Sequence, residues 1–190
     1  MAVLYTDNFN RADANLTTPW VLVGGSVFEV VSNTVAGQVA AGGGTCYYDA
    51  ATPDDCYVKA TYAGGSTSGG TVGLIARWTS SGEYYYLYID PAAPVLSLYK
   101  YDFGNTLLDT LAEGPVTNDV FEIRVVGTSI TVWRNGVEIL SGTDATHATG
   151  KCGLYSNNGG NRQFLDDFEI GDFTGGGGGG GAPLMGQACL

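Results

Sequence analysis

The 190-residue chain carries 30 glycines, 12 tyrosines and only 14% charged residues, a composition that suits half-buried pleated strands and gives no long amphipathic helix. Nineteen acidic against eight basic side chains leave a net charge of −11, whose field repels phosphate backbones and anionic bilayers, so nucleic acid is not expected as a partner. No apolar run approaches the roughly 18 residues of a membrane-spanning helix, so membrane insertion is not expected either.

Met1 to Tyr5 reads as the first strand. From Thr71 to Trp78 and from Glu83 to Asp90, β-forming residues flank the polar Thr79-Ser80-Ser81-Gly82, the pattern of a hairpin. Within the second segment Tyr84, Tyr86 and Tyr88 share one face while Tyr85, Leu87 and Ile89 share the other. Pro91 and Pro94 close that strand. Val95 to Tyr101 follows, turns at Asp102-Phe103-Gly104-Asn105, and returns through Thr106 to Leu111. Val120 to Val126, Ser129 to Arg134 and Val137 to Ser141 come next, and Asn135-Gly136 marks the last of these turns because both residues accept positive φ. Gly150 to Ser156 and Phe164 to Phe173 complete the series. Strands at such short spacing with turns between them predict an all-β sandwich or barrel.

Seven consecutive glycines, Gly175 to Gly181, then interrupt the pattern; as a random coil they span on the order of 15 Å. The chain therefore divides into a folded domain over residues 1–174, a tether over 175–181 and an apolar peptide over 182–190. The expected role of that peptide is docking on another subunit, with Leu184, Met185 and Leu190 as apolar anchors and Cys189 in an intermolecular contact.

Asp7-Asn8-Phe9-Asn10-Arg11-Ala12-Asp13, Trp20, Gly73-Leu74-Ile75-Ala76-Arg77 and Trp133-Arg134-Asn135-Gly136 resemble the concanavalin A-like lectin/glucanase superfamily. So do Thr143 to Leu154 and the ending Leu165-Asp166-Asp167-Phe168-Glu169-Ile170. The similarity is greatest to the laminin-G-like and sugar-hydrolase-associated domains of bacterial extracellular proteins and phage structural proteins. It implies a two-sheet antiparallel jelly-roll sandwich in which the final Asp-Asp-Phe strand pairs with the Asp-Asn-Phe strand at the start.

Retaining glucanases of that superfamily present Glu-x-Asp-x-x-Glu on one strand, bringing two carboxylates about 5 to 5.5 Å apart. This motif does not occur; Asp166, Asp167 and Glu169 read as edge and turn charges. The single histidine, His147, lies in a Thr/Ala/Gly-rich loop with no nucleophile motif and reads as a hydrogen-bonding loop residue. No catalytic residue is assigned. Aromatic rings that pack on sugar faces are the better candidates: Trp78, Tyr84, Tyr86, Tyr88, Tyr99 and Tyr101 on adjacent strands. No cofactor or metal site is assigned, although Asp102 to Asn105, or Asp144 with Asp7, offer oxygen ligands of the kind calcium takes.

Cys46, Cys56, Cys152 and Cys189 lack the spacing of a zinc site. Cys46 and Cys56 bracket Ala51-Thr52-Pro53-Asp54, but a simple hairpin there sets Cys46 opposite Lys59, and the expectation for Cys46, Cys56 and Cys152 is buried free thiols.

Together these features lead to the expectation of a non-enzymatic structural or decoration protein of a large assembly, a phage virion. It would be made in the host cytoplasm and shown on the particle surface. Capsid, tail or like subunits are the expected partners, with a cell-surface glycan as a further ligand. An N-terminus without the basic and apolar stretches of a secretory signal is read either as one whose upstream signal has been removed or as that of a protein made in the cytosol and released by lysis, and Met1 favours the second. The alternative is the carbohydrate-binding module of an extracellular protein, followed by a glycoside hydrolase.

Overall fold

Side chains alternate across a strand, so a strand with apolar residues at every second position has one face to bury, and two such sheets satisfy each other face to face. The computed structural model, which describes residues 1–38, 44–80, 82–157 and 161–173, shows this arrangement. Among the described residues the chain forms sixteen strands in two antiparallel sheets, and no helix.

The nine-stranded sheet runs β14 (Val137–Thr143), β13 (Ser129–Arg134), β12 (Val120–Val126), β7 (Cys56–Gly65), β16 (Gln163–Asp172), β5 (Thr34–Gly37), β4 (Phe28–Val31) and β2 (Ala14–Asn15). Its ninth strand, β1 (Ala2–Asp7), pairs with β16 and sets Asp7 opposite Phe168. The seven-stranded sheet runs β11 (Asn105–Leu111), β10 (Val95–Asp102), β9 (Glu83–Asp90), β8 (Thr71–Ser80), β15 (Lys151–Asn157), β6 (Gly44–Tyr48) and β3 (Trp20–Val23).

Val58, Ala60, Phe121, Ile123, Val132 and Ile170 from the first sheet meet Val72, Leu74, Tyr85, Leu87, Leu98 and Leu154 from the second in one fully buried core. The expected pairing of first and last strands is present. Asp7 accepts hydrogen bonds from the Trp20 indole at 2.8 Å and from the Phe9 N–H at 2.9 Å, and the Trp20 ring packs on Phe168 at 4.8 Å. The expected Asn-Gly hairpin is also present, with φ of 53° at Asn135 and 81° at Gly136 joining β13 to β14.

Six strands between Ala14 and Gly65 have no counterpart in the sequence reading. Five of them hold five residues or fewer, too short for a periodic signal. The hairpin considered across Cys46 and Cys56 does not form: β6 and β7 lie in different sheets, and Cys46 faces Leu154 and Leu22. The glycine tether and the anchor candidates Leu184, Met185, Cys189 and Leu190 fall outside the described residues.

One charged side chain holds the end of the sandwich together. Arg77 is 2% exposed and sits at a bulge in β8 with φ of 54°. Its guanidinium donates to the carbonyl oxygens of Asp54, Gly127 and His147 at 2.8–3.0 Å, gathering three loops. Gly150, at φ of 148°, leaves room for the bulge, since a Cβ there would lie on the Arg77 carbonyl. Arg77→Ala removes all four bonds and leaves the buried His147 carbonyl without its donor, worth about 1–3 kcal/mol, while the Asp54 and Gly127 carbonyls stand at part-buried positions that water reaches. Urea unfolding is expected to show a loss of about 1–3 kcal/mol; a variant as stable as the native chain would refute the clamp.

Candidate functional site

The outer face of the seven-stranded sheet collects the aromatic candidates because β9 and β10 carry tyrosine at every second position and pair in register. Tyr84 faces Tyr101, Tyr86 faces Tyr99 and Tyr88 faces Ser97. The next strands continue the rows: Ile75 beside Tyr86 and then Gly153 and Tyr47, and Gly73 beside Tyr88 and then Tyr155. A strict alternation along β8 from the outward Ile75 would turn Trp78 into the core. The bulge at Arg77 turns it outward instead, where its ring stacks on Tyr47 with centroids 4.3 Å apart.

The result is a second apolar cluster outside the core, built of rings that pack on one another. Tyr84 stacks on Tyr101 at 5.1 Å and Tyr86 on Tyr99 at 5.3 Å, while Tyr155 leans on Tyr86 at 5.0 Å. Tyr84 and Tyr86 are buried and form its floor; Tyr88, Tyr99, Tyr101, Tyr155, Tyr47 and Trp78 are half-buried around them. All six sequence candidates thus share this surface. Tyr47 and Tyr155 are not among the sequence candidates, because β6 and β15 join this sheet only through pairing with strands far away in the chain.

Polar groups border the rings. The Tyr86 hydroxyl donates to Asn105 Oδ1 at 3.0 Å, and that of Tyr88 to Asp90 Oδ2 at 3.2 Å. Burial, and then the neighbouring tyrosine hydroxyls, push Tyr84 and Tyr86 well above the ordinary tyrosine range. Burial and the Asp90 carboxylate push Tyr88 up to about 12.

At the Trp78 end a cleft of about 420 Å³ opens, lined by Tyr47, Thr52, Asp54, Trp78, Thr149 and Lys151 among others. The Trp78 Nε1–H beside it is buried without a hydrogen-bond partner among the described residues. Lys151 closes one side by donating to the Ala50 carbonyl at 2.7 Å.

The remaining candidates lie elsewhere and are engaged by structure. Asp166, Asp167 and Glu169 are on β16 of the opposite sheet, where Glu169 accepts from Tyr57 at 2.6 Å and pairs with Lys59 at 2.9 Å. His147 is buried in its loop, its N–H donating to the Tyr85 hydroxyl at 3.1 Å and its Nε2 lying 3.2 Å from the Tyr101 carbonyl. Asp144 takes bonds from Tyr85 at 2.6 Å and Lys100 at 3.0 Å. Burial raises its pKa, but these hydrogen bonds outweigh that and hold the carboxyl far below its usual range. Asp7, bonded to Arg11, Trp20 and Phe9, belongs to a separate network. Asp102 and Asn105 flank the β10–β11 turn. Among the described residues no three His, Cys, Asp or Glu side chains gather in a way that would hold a metal ion.

No family model matches the chain, and no curated protein matches it in sequence. Solved structures do match in fold. Carbohydrate-binding module CBM66 from Bacillus subtilis aligns at a TM-score of 0.67 and 15% identity, over 80% of this chain and 95% of that one. A Bacillus subtilis protein of unknown function with a galectin-like fold aligns at 0.63 and 14%, over 90% and 96%. A prokaryotic β-1,3-1,4-glucanase derived from a mouse hindgut metagenome aligns at 0.59 and 8%, over 88% and 98%. The two-sheet antiparallel jelly-roll-like sandwich expected from the sequence is the fold of this chain, and these structures share it.

The raised tyrosine values bear on stability through linkage. A group whose folded pKa lies above its unfolded value near 10 contributes fully below that pH, and the contribution is lost as pH rises through the folded value. Stability is therefore expected to fall from about pH 10 upward, with Tyr88 contributing up to about pH 12. Tyr88→Phe removes one such group and is expected to flatten that fall in urea titrations taken at stepped alkaline pH. An identical pH profile for the variant would contradict the raised value.

Proposed function

We propose that this chain is a non-catalytic carbohydrate-binding module, of an extracellular protein, that takes a neutral glycan across the outer face of its seven-stranded sheet. The observation that carries the reading is the row of half-buried rings, Tyr88, Tyr99, Tyr101, Tyr155 and Trp78, standing on a buried tyrosine floor. The C–H faces of sugar rings pack on aromatic faces, while carboxylate and amide oxygens at the border bond hydroxyls. Asp90 and Asn105 stand in that position. A floor of interlocked rings is also pre-organised, so that little side-chain freedom remains to be lost on binding.

Charge narrows the ligand. A net charge of −11 repels uronate-, sialate- or sulfate-bearing chains, which leaves neutral sugars. A binding module from Bacillus subtilis with the same fold supports the reading by analogy. So does the placement of Asp166, Asp167 and Glu169 on the opposite sheet, away from the rings. The assembly role expected from the tail rests on Leu184, Met185, Cys189 and Leu190, outside the described residues, and the binding role is the better supported of the two.

Screening the full-length chain against immobilised neutral and anionic glycans, followed by calorimetry, tests the proposal. Removing one stacking ring costs on the order of 1.4 kcal/mol, or about tenfold in affinity. Tyr99→Ala and Tyr101→Ala are each expected to weaken binding by about that factor with the circular dichroism spectrum unchanged. Failure of the folded protein to bind any neutral glycan, or unaltered affinity in both variants, would overturn the assignment.

A further inference from the structure

The core holds a pair of thiols that the binding reading does not use. Cys56 opens β7 of the nine-stranded sheet, and Cys152 is the second residue of β15 in the seven-stranded sheet. Both point inward, both are 0% exposed, and their sulfur atoms lie 3.6 Å apart. We propose that Cys56 and Cys152 are joined as an inter-sheet disulfide when the chain folds in an oxidising compartment.

Three features favour the bond. The sulfurs are in van der Waals contact, so reaching the covalent distance of about 2.0 Å needs only a small side-chain adjustment. The segments leading into the two residues are already fastened to each other, since the Thr52 hydroxyl donates to the Gly150 carbonyl and Lys151 Nζ to the Ala50 carbonyl. The two positions are 96 residues apart in sequence, a separation at which a cross-link restricts the unfolded chain strongly. The bond would also stand behind one wall of the Trp78 cleft, because Gly150 and Lys151 line that wall immediately before Cys152.

The chemistry is thiol–disulfide exchange with a small-molecule or oxidoreductase disulfide as oxidant. One cysteine, as thiolate, attacks the oxidant disulfide and releases one thiol; the second cysteine attacks the resulting mixed disulfide and releases the other. The pair loses two protons and two electrons, and the oxidant is reduced to two thiols. Contact with Cys56, and burial, push the Cys152 thiol well above its ordinary value, so attack within the closed core is slow. Pairing accordingly belongs to folding, before the sheets close.

The test uses the full-length chain, unfolded and reduced, then refolded either in oxidised and reduced glutathione or in excess reductant. Free thiols are alkylated, the chain is digested without reduction, and peptides are mapped by mass. After oxidative refolding the expected product is the Cys56 peptide joined to the Cys152 peptide, lighter by the two thiol hydrogens, with Cys46 alkylated. That form is expected to unfold at higher urea than the reduced one, and Cys152→Ser to abolish the difference. Recovery of Cys56 and Cys152 both alkylated, or joined to Cys46 or Cys189 in place of each other, would overturn the proposal. Should Cys152→Ser fail to fold, the peptide map of the unaltered chain decides alone, with Cys189→Ser removing exchange from the tail.

Discussion

The period-two alternation of strand β9 is the constraint on which both the core and the surface of this protein depend. Tyr85, Leu87 and Ile89 enter the core, and Tyr84, Tyr86 and Tyr88 build the outer aromatic face, all within one strand of eight residues. A slip of one residue would exchange the two sets. It would also pull the Tyr85 hydroxyl from Asp144 and His147, whose bonds secure the loop between β14 and β15. Register here is therefore fixed from both faces and from the loop.

Arg77 breaks that alternation, and the break is what makes the rim of the face different from its centre. With φ of 54° it buries its own guanidinium against three loop carbonyls and turns the following residue, Trp78, out onto Tyr47. A buried cation without full hydrogen bonding would be costly; here four bonds to carbonyl oxygens, with Asp55 3.5 Å away, compensate the lost water. The same residue thus closes the end of the sandwich and shapes the cleft beside it.

Fold alone does not assign the activity. The sandwich matches a carbohydrate-binding module, a galectin-like protein of unknown function and a glucanase at 8–15% identity. What separates such proteins is which side chains stand on the sheet faces. Here one outer face carries rings that stack pairwise at 5.1 and 5.3 Å, and Asp166, Asp167 and Glu169 stand on the other sheet, Glu169 tied to Tyr57 and Lys59.

The sequence by itself determined the strands from Thr71 onward, the Asn135-Gly136 turn, the closure of Asp7 against Phe168 and the grouping of six aromatic candidates. Each is written in short-range alternation or in turn residues, or, for the closure, in a resemblance carried by local motifs. Only the tertiary structure decided which of those rings are floor and which are open, because exposure depends on neighbours contributed by β10 and β15. It alone brought Tyr47 and Tyr155 to the face, turned Trp78 outward through a left-handed Arg77, and set Cys56 against Cys152 across the core. Those placements arise from pairings between residues far apart in the chain and from a single bulge that resets the alternation, neither of which leaves a periodic trace in the order of the amino acids.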